Sequence, residues 1–144
     1  GATDIVECAA VSCPDLAESR YSRVSRDNLR ENLFAFRDLL TGLDGGQGLN
    51  ALMTGVGRGD LVTRLTTMIA VATSVEASLT SDLETAVAAI PSRNDCILAA
   101  TNRRGPPIVC EYLGRIDDIT DTLRTEIVST LNLRVPDYAA GDND

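Results

Sequence analysis

Apolar residues recur along this chain at the spacing of helix faces. Over residues 21–41, steps of about 100° per residue bring one apolar set to the same side. The set is Leu29, Leu33, Phe36 and Leu40, with Tyr21, Asn32 and Leu39 beside it. This pattern predicts a helix with one core-facing side. Thr41 and Gly42 should end it, because glycine takes the left-handed conformation of a helix terminus without a Cβ penalty.

Three more helices follow from the same kind of pattern. Asp60 should open a long helix whose apolar seam is Leu61, Leu65, Met68, Ala72, Val75 and Leu79. Ser81 and Glu84 fit a capping box for a shorter helix that stops before Pro91. A last helix should begin at Pro106 and Pro107 and carry the stripe Val109, Tyr112, Leu113, Ile116, Ile119, Leu123 and Ile127.

Four main helices joined by short connections predict an all-α fold, an antiparallel four-helix bundle. Short extra helices are expected in the connections, over residues 49–56 and 95–100. The composition agrees, because aromatic residues make up only 3% and Trp is absent, so the core must be aliphatic. The 144 residues suit a single domain over 1–144, in which residues 1–20 form an irregular, disulfide-bonded N-terminal segment.

The charge excludes some partners. The formal net charge is -8, so the surface does not suit nucleic acid, whose binding requires a basic surface that neutralises phosphates. No run approaches the roughly 20 apolar residues of a membrane helix, so we expect no membrane insertion.

Four cysteines occur in a chain without His: Cys8, Cys13, Cys96 and Cys110. Their spacings do not fit the close pairs of zinc sites, so disulfides are favoured. Three pairings are possible. We predict the two local ones, Cys8 with Cys13 and Cys96 with Cys110, because each closes a segment that contains turn residues. Disulfides imply an oxidising compartment.

No catalytic or metal motif is present. Without His there is no Ser-His-Asp triad, no Cys-His pair and no H-E-x-x-H. The glycines of LDGGQGLN follow a helix and precede no Lys, so they indicate a helix-to-helix corner and not a phosphate loop. Asp117, Asp118 and Asp121 lie opposite the apolar stripe with Arg115 and Arg124 nearby, which indicates a solvated face. Residues 142–144 offer fewer than the six or more oxygens that a calcium site normally requires. We therefore predict no enzyme, no cofactor and no bound metal.

One surface of the first helix is unusual. Its arginines project within about 60° of one another, with Phe34 beside them, and the candidate interface comprises Arg23, Arg26, Arg30, Phe34 and Arg37. One interpretation is a basic rim whose Arg stems cover the edge of the core. The other is a docking surface, since Arg and aromatic residues are enriched at interface centres.

The segment NLRENLFAFRDLLTG, followed by a glycine-rich turn, GLNALM and GDLVTRLTTMIAVA, resembles the second half of imelysin-like proteins. The ending LNLRVPDYAAGDND is similar to the closing segment of that family. The resemblance covers about residues 22–144. It implies an all-α fold of two helical bundles, a bacterial periplasmic or envelope location and a link with iron or other metal uptake. The family's G-x-H-x-x-E motif belongs to its first half, so no metal or catalytic residue carries over to this chain.

The sequence therefore suggests a non-catalytic binding or scaffolding module of a cell-envelope imelysin-like protein. Its expected partner is a second helical bundle, the half of the family fold that this chain lacks. The alternative is a secreted, disulfide-bonded helical bundle that binds or inhibits another protein.

Overall fold

The computed structural model describes residues 25–132, and these are all-α, with no β-strand among them. The helices are α1 (Ser25–Thr41), α2 (Leu49–Gly55), α3 (Gly59–Ala77), α4 (Leu83–Ala88), α5 (Arg93–Asn102) and α6 (Ile108–Thr122). A π-helical segment at Leu123–Ile127 and a final turn at Val128–Thr130 prolong α6. The predicted all-α class is thus confirmed for this part of the chain. Tyr21 and the predicted irregular segment over residues 1–20 lie outside it.

The helix ends follow from local chemistry. Gly42 ends α1 with a φ of 86°, and its amide donates to the Asp38 carbonyl at 2.8 Å. The predicted Ser81–Glu84 capping box is wrong, because α4 starts two residues after Ser81. The N-cap is therefore Asp82, whose carboxylate accepts from the Thr85 amide at 2.7 Å.

An aliphatic core joins the helices, as the periodicity predicts. Its buried members from the predicted stripes are Leu33, Leu40, Leu61, Leu65, Ala72, Leu79, Val109, Tyr112, Ile119 and Ile127. Two positions were wrongly assigned to the core or its edge. Leu39 is 57% exposed and Leu113 is 40% exposed, because each lies on the margin of its helix stripe, where none of the helices within residues 25–132 covers it.

The three long helices alternate in direction. Arg26 near the start of α1 contacts Glu76 near the end of α3, so these helices are antiparallel. Arg58, just before α3, contacts Glu126 beyond the end of α6 at 3.4 Å, so α3 and α6 are also antiparallel. Helices α1 and α6 both pack against α3 and therefore run in the same direction.

Helix α5 lies alongside α6 and runs parallel to it. Cys96 is bonded to Cys110 near the start of both helices, and Arg103 pairs with Asp118 towards the end of both. Between these points the helices touch at Gly114, where a Cβ atom would lie 2.4 Å from the Ala100 carbonyl oxygen. Only glycine allows this approach. The disulfide predicted between Cys96 and Cys110 is thus present, whereas Cys8 and Cys13 lie outside the described residues.

The predicted antiparallel four-helix bundle is not confirmed in its arrangement. The helix expected as the third of the four main helices, α4, has only six residues and ends at Ala88, shortly before Pro91. The longer α5, which was expected only as a short connecting helix, follows α4. It is parallel to α6 because the loop after Arg103 carries the chain back beside the start of α5 before α6 begins. Glu111 holds that loop by accepting from the Gly105 amide at 3.1 Å, and Arg115 donates to the Arg103 carbonyl at 2.7 Å.

One side chain joins α1 to the end of α3. The Arg26 guanidinium pairs with the Glu76 carboxylate, and it also donates to the backbone carbonyls of Glu76, Leu79 and Ser81, each at 3.0 Å. The Glu76 carbonyl belongs to the last turn of α3 and also accepts from the Leu79 amide at 3.0 Å, whereas the Leu79 and Ser81 carbonyls lie just beyond the helix. Glu76 is only 3% exposed, so its charge is compensated almost entirely by protein groups.

We expect Arg26→Ala to lower the free energy of unfolding by about 3 kcal/mol, because it leaves the Glu76 carboxylate and three carbonyls without this donor. Arg37→Ala is the matched control, and it should cost less than about 1 kcal/mol because Arg37 is exposed. Urea denaturation of both variants measures the difference. Equal losses would show that the Arg26 contacts do not hold the two helices together.

We also expect peptide mapping without reduction to join Cys96 to Cys110. Because the closed loop is short, reduction should lower the free energy of unfolding by about 3 kcal/mol. The same map tests the predicted link between Cys8 and Cys13. A peptide linking Cys8 to Cys110 would contradict both pairings.

Candidate docking surfaces

The arginine stripe of α1 is not a uniform outward surface. Arg23 lies outside the described residues. Arg26 faces α3 and binds the end of that helix, so it is a structural residue and must be removed from the candidate interface. Sequence periodicity placed it at the edge of the core correctly, but its partners are about 50 residues away in the chain.

The other members of the stripe mainly contact residues of α1 itself. Arg30 donates to Asp27 at 2.8 Å and lies 4.0 Å from the Glu76 carboxylate. The Arg37 guanidinium stacks over the Phe34 ring, 4.9 Å from its centroid, and pairs with Asp38 at 2.9 Å. Phe34 is half-buried and lies outside the core cluster. These contacts match the interpretation of a rim on the edge of the core.

A buried polar cluster lies inside this rim. The Tyr112 side chain is fully buried, and its hydroxyl has no hydrogen-bond partner among the described residues. Burial raises the pKa of Tyr112 to about 12, and the nearby Glu76 carboxylate adds to the rise. A tyrosine of this kind stays protonated at neutral pH, so its hydroxyl does not act as a base there.

A groove separates α1 from α6 on one side of α3. Its α1 wall is formed by Leu29, Asn32, Leu33 and Phe36. Its α6 wall is formed by Ile116, Ile119 and Thr120, with Leu123 at the start of the π-helical segment. The groove has a volume of about 270 Å³. Both walls repeat the spacing i, i+3, i+4, i+7, which places four side chains of each helix along one line.

The neighbouring glycine corner is also apolar. Residues 42–48 connect α1 to α2 beside a hollow of about 640 Å³, whose lining includes Leu39, Leu43 and Asp38. Leu43 is 68% exposed. Gly48 permits the tight turn, since a Cβ atom there would lie 2.5 Å from the Gly42 nitrogen. Because Asp38 is the one charged residue in this lining, the hollow does not suit a phosphate, in agreement with the sequence interpretation.

Carboxylates on α6 serve structural roles or lie in solvent. Arg103 holds the pKa of Asp118 below its usual range through a charge-assisted hydrogen bond. Asp117 and Asp121 are exposed on the same helix. Within residues 25–132, no group of three or more Cys, Asp or Glu side chains is placed to hold a metal ion. Asp142, Asn143 and Asp144 lie outside that range. In the same range, no helix has both the length and the apolar character needed to cross a bilayer.

Comparisons with known proteins add no relative: no family model matches the sequence, and neither a curated protein nor a solved structure is significantly similar to it. The resemblance to imelysin-like proteins therefore stays a prediction.

Sequence reasoning identified the residues of the groove but not the groove itself. Leu29, Phe36, Ile116 and Leu123 were all assigned to core-facing stripes, and in the structure they are only partly buried. The missing information was which helices are neighbours. A stripe that has a partner helix and a stripe that lacks one have the same periodicity in sequence.

Two neighbouring positions on α1 test its orientation. We expect Leu33→Ala to lower the free energy of unfolding by about 2 to 5 kcal/mol, because Leu33 is buried in the core cluster. Phe34→Ala should cost less than about 1 kcal/mol, mainly through the lost contact with Arg37. Chemical denaturation compares the two variants. Equal costs would mean that α1 is rotated from the described orientation.

Proposed function

We propose that this chain is a non-catalytic binding or scaffolding module that docks a helix of a partner in the groove between α1 and α6. The observation that carries the proposal is the apolar lining of that groove. Leu29 and Phe36 on one wall face Ile116 and Leu123 on the other, and all four are only partly buried. A helix laid between them would bury these side chains further, which is the main source of favourable energy in such complexes.

The geometry supports a helix as the occupant. Helices α1 and α6 both pack against α3, and the groove lies between α1 and α6. Since α1 and α6 run in the same direction, a helix antiparallel to both would complete the alternating order of a four-helix bundle. In this proposal the antiparallel four-helix bundle predicted from the sequence is the arrangement of the complex.

The resemblance to imelysin-like proteins supplies a setting for this proposal. It implies a second helical bundle as the partner, a bacterial periplasm or cell envelope as the location, and a connection with iron or other metal uptake. The bond between Cys96 and Cys110 supports an oxidising compartment such as the periplasm, because thiols of cytosolic proteins are kept reduced.

A secreted protein that binds or inhibits another protein is the second candidate function. The same disulfide favours it, since small secreted domains commonly use such cross-links. The two candidates differ in the partner. An envelope module should contact a helical bundle, whereas an inhibitor should contact the active-site region of an enzyme.

Site-specific photo-crosslinking in cells that naturally produce the protein tests the docking proposal. A benzophenone side chain at Thr120, an exposed residue of the groove, should crosslink to a helical segment of one partner in the envelope fraction. Ala70, exposed on α3, is the control position and should give no such product.

Equal crosslinking from Thr120 and Ala70, or none from Thr120, would contradict docking in the groove. A product from Thr120 that maps to the active-site region of an enzyme would favour the inhibitor. A product recovered from the cytosol alone would contradict the envelope setting.

A further inference from the structure

The loop between α5 and α6 contains a peptide bond that suits proteolytic cleavage. We propose that the bond between Arg104 and Gly105 is a processing site for a trypsin-like serine protease, and that cleavage converts the chain into two disulfide-linked chains. This inference goes beyond the proposed function and does not depend on the groove.

Arg104 differs from the other described arginines in its position and its contacts. Three of them lie outside the helices: Arg58, Arg103 and Arg104. Arg58 is paired with Asp60 at 3.0 Å, and Arg103 is paired with Asp118. The Arg104 side chain is exposed and has no ion pair with any described residue. Because proteases preferentially cut exposed loops, Arg104 is the arginine that this part of the chain offers to them.

The free guanidinium of Arg104 determines the class of protease. Trypsin-like enzymes bind one basic side chain against a carboxylate in their specificity pocket. A protease that recognises two adjacent basic residues would also need Arg103. The guanidinium of Arg103 is bound to Asp118, and its carbonyl accepts from Arg115 at 2.7 Å. The structure therefore favours recognition of a single arginine.

The backbone beyond the bond is accessible. Gly105 has a φ of 82°, and apart from its chain neighbours no described atom lies within 4 Å of the position that a Cβ atom would take there. In the reaction, the serine of the protease attacks the Arg104 carbonyl carbon, the bond to the Gly105 nitrogen breaks, and that nitrogen leaves as an amine. One water molecule then hydrolyses the acyl-enzyme and leaves a carboxylate on Arg104.

The surrounding contacts keep the cleaved chain together. The bond between Cys96 and Cys110 encloses the cleavage site, so the two pieces stay covalently linked. The Gly105 nitrogen already donates to the Glu111 carboxylate at 3.1 Å. After cleavage this nitrogen is a charged amine, and the contact becomes an ion pair. We therefore expect the cleaved protein to keep its fold.

Limited digestion of the full-length, oxidised protein with trypsin tests the site. We expect the first cut within residues 25–132 to fall after Arg104. The product should stay one molecule until reduction separates residues 1–104 from residues 105–144. Cuts outside residues 25–132 only shorten the ends of these two pieces. The helical signal in far-ultraviolet circular dichroism should be the same before and after the cut.

Two matched variants identify the side chain that the protease recognises. Arg104→Gln should slow the first cut by about tenfold or more, because the remaining described arginines lie in helices or ion pairs and are reached only after local opening. Arg93→Gln is the control, and it should leave the rate unchanged. It also removes an exposed arginine without an ion pair among the described residues, but from the first turn of α5.

The second part of the test uses cells that naturally produce the protein. Reducing and non-reducing gels should show the two-chain form for the natural sequence and only the intact chain for Arg104→Gln. In an extract of these cells, benzamidine should block the cut, because it is an arginine mimic that occupies the specificity pocket of trypsin-like enzymes.

Four results would overturn the inference. They are a first cut elsewhere within residues 25–132, equal rates for Arg104→Gln and the natural sequence, loss of helical signal on cleavage, and recovery of only the intact chain from cells. A cut that benzamidine does not block would contradict the class of protease. Crosslinking from Thr120 decides the proposed function separately.

Discussion

The contact between the Arg26 guanidinium and the end of α3 is the constraint on which the rest of the arrangement depends. A helix C-terminus leaves carbonyls without partners, and a buried carboxylate needs a counter-charge. Arg26 satisfies both requirements at once, because it binds Glu76 and three backbone carbonyls. The same rotation of α1 that brings Arg26 to the end of α3 places Leu33 and Leu40 in the core and Leu29 and Phe36 at its edge.

The groove is a consequence of that rotation and of the position of α5. In a bundle of four long helices, the fourth would cover the sides of α1 and α6 that face away from α3. Here α4 is too short, and the bond between Cys96 and Cys110 holds α5 on another side of α6. Leu29, Phe36 and Leu123 are therefore left at a surface, although their spacing is that of core residues.

Charge and shape act on different parts of the proposed interaction. The apolar walls would supply most of the binding energy through burial, whereas exposed carboxylates such as Asp117 contribute little affinity each. The net charge of -8 makes the field of the whole protein negative, which favours encounter with basic partners.

The sequence by itself determined the helices, their approximate ends and most of the core, because these depend on local rules. Periodicity identified Leu33, Leu65 and Ile119 as buried, and Gly42 ended α1 as expected. Only the tertiary structure decided the partner of Arg26, the parallel course of α5 and α6, and the open side of α1. Each of these depends on which helices become neighbours. Helical periodicity shows which residues share a face, but it contains no information about what that face meets.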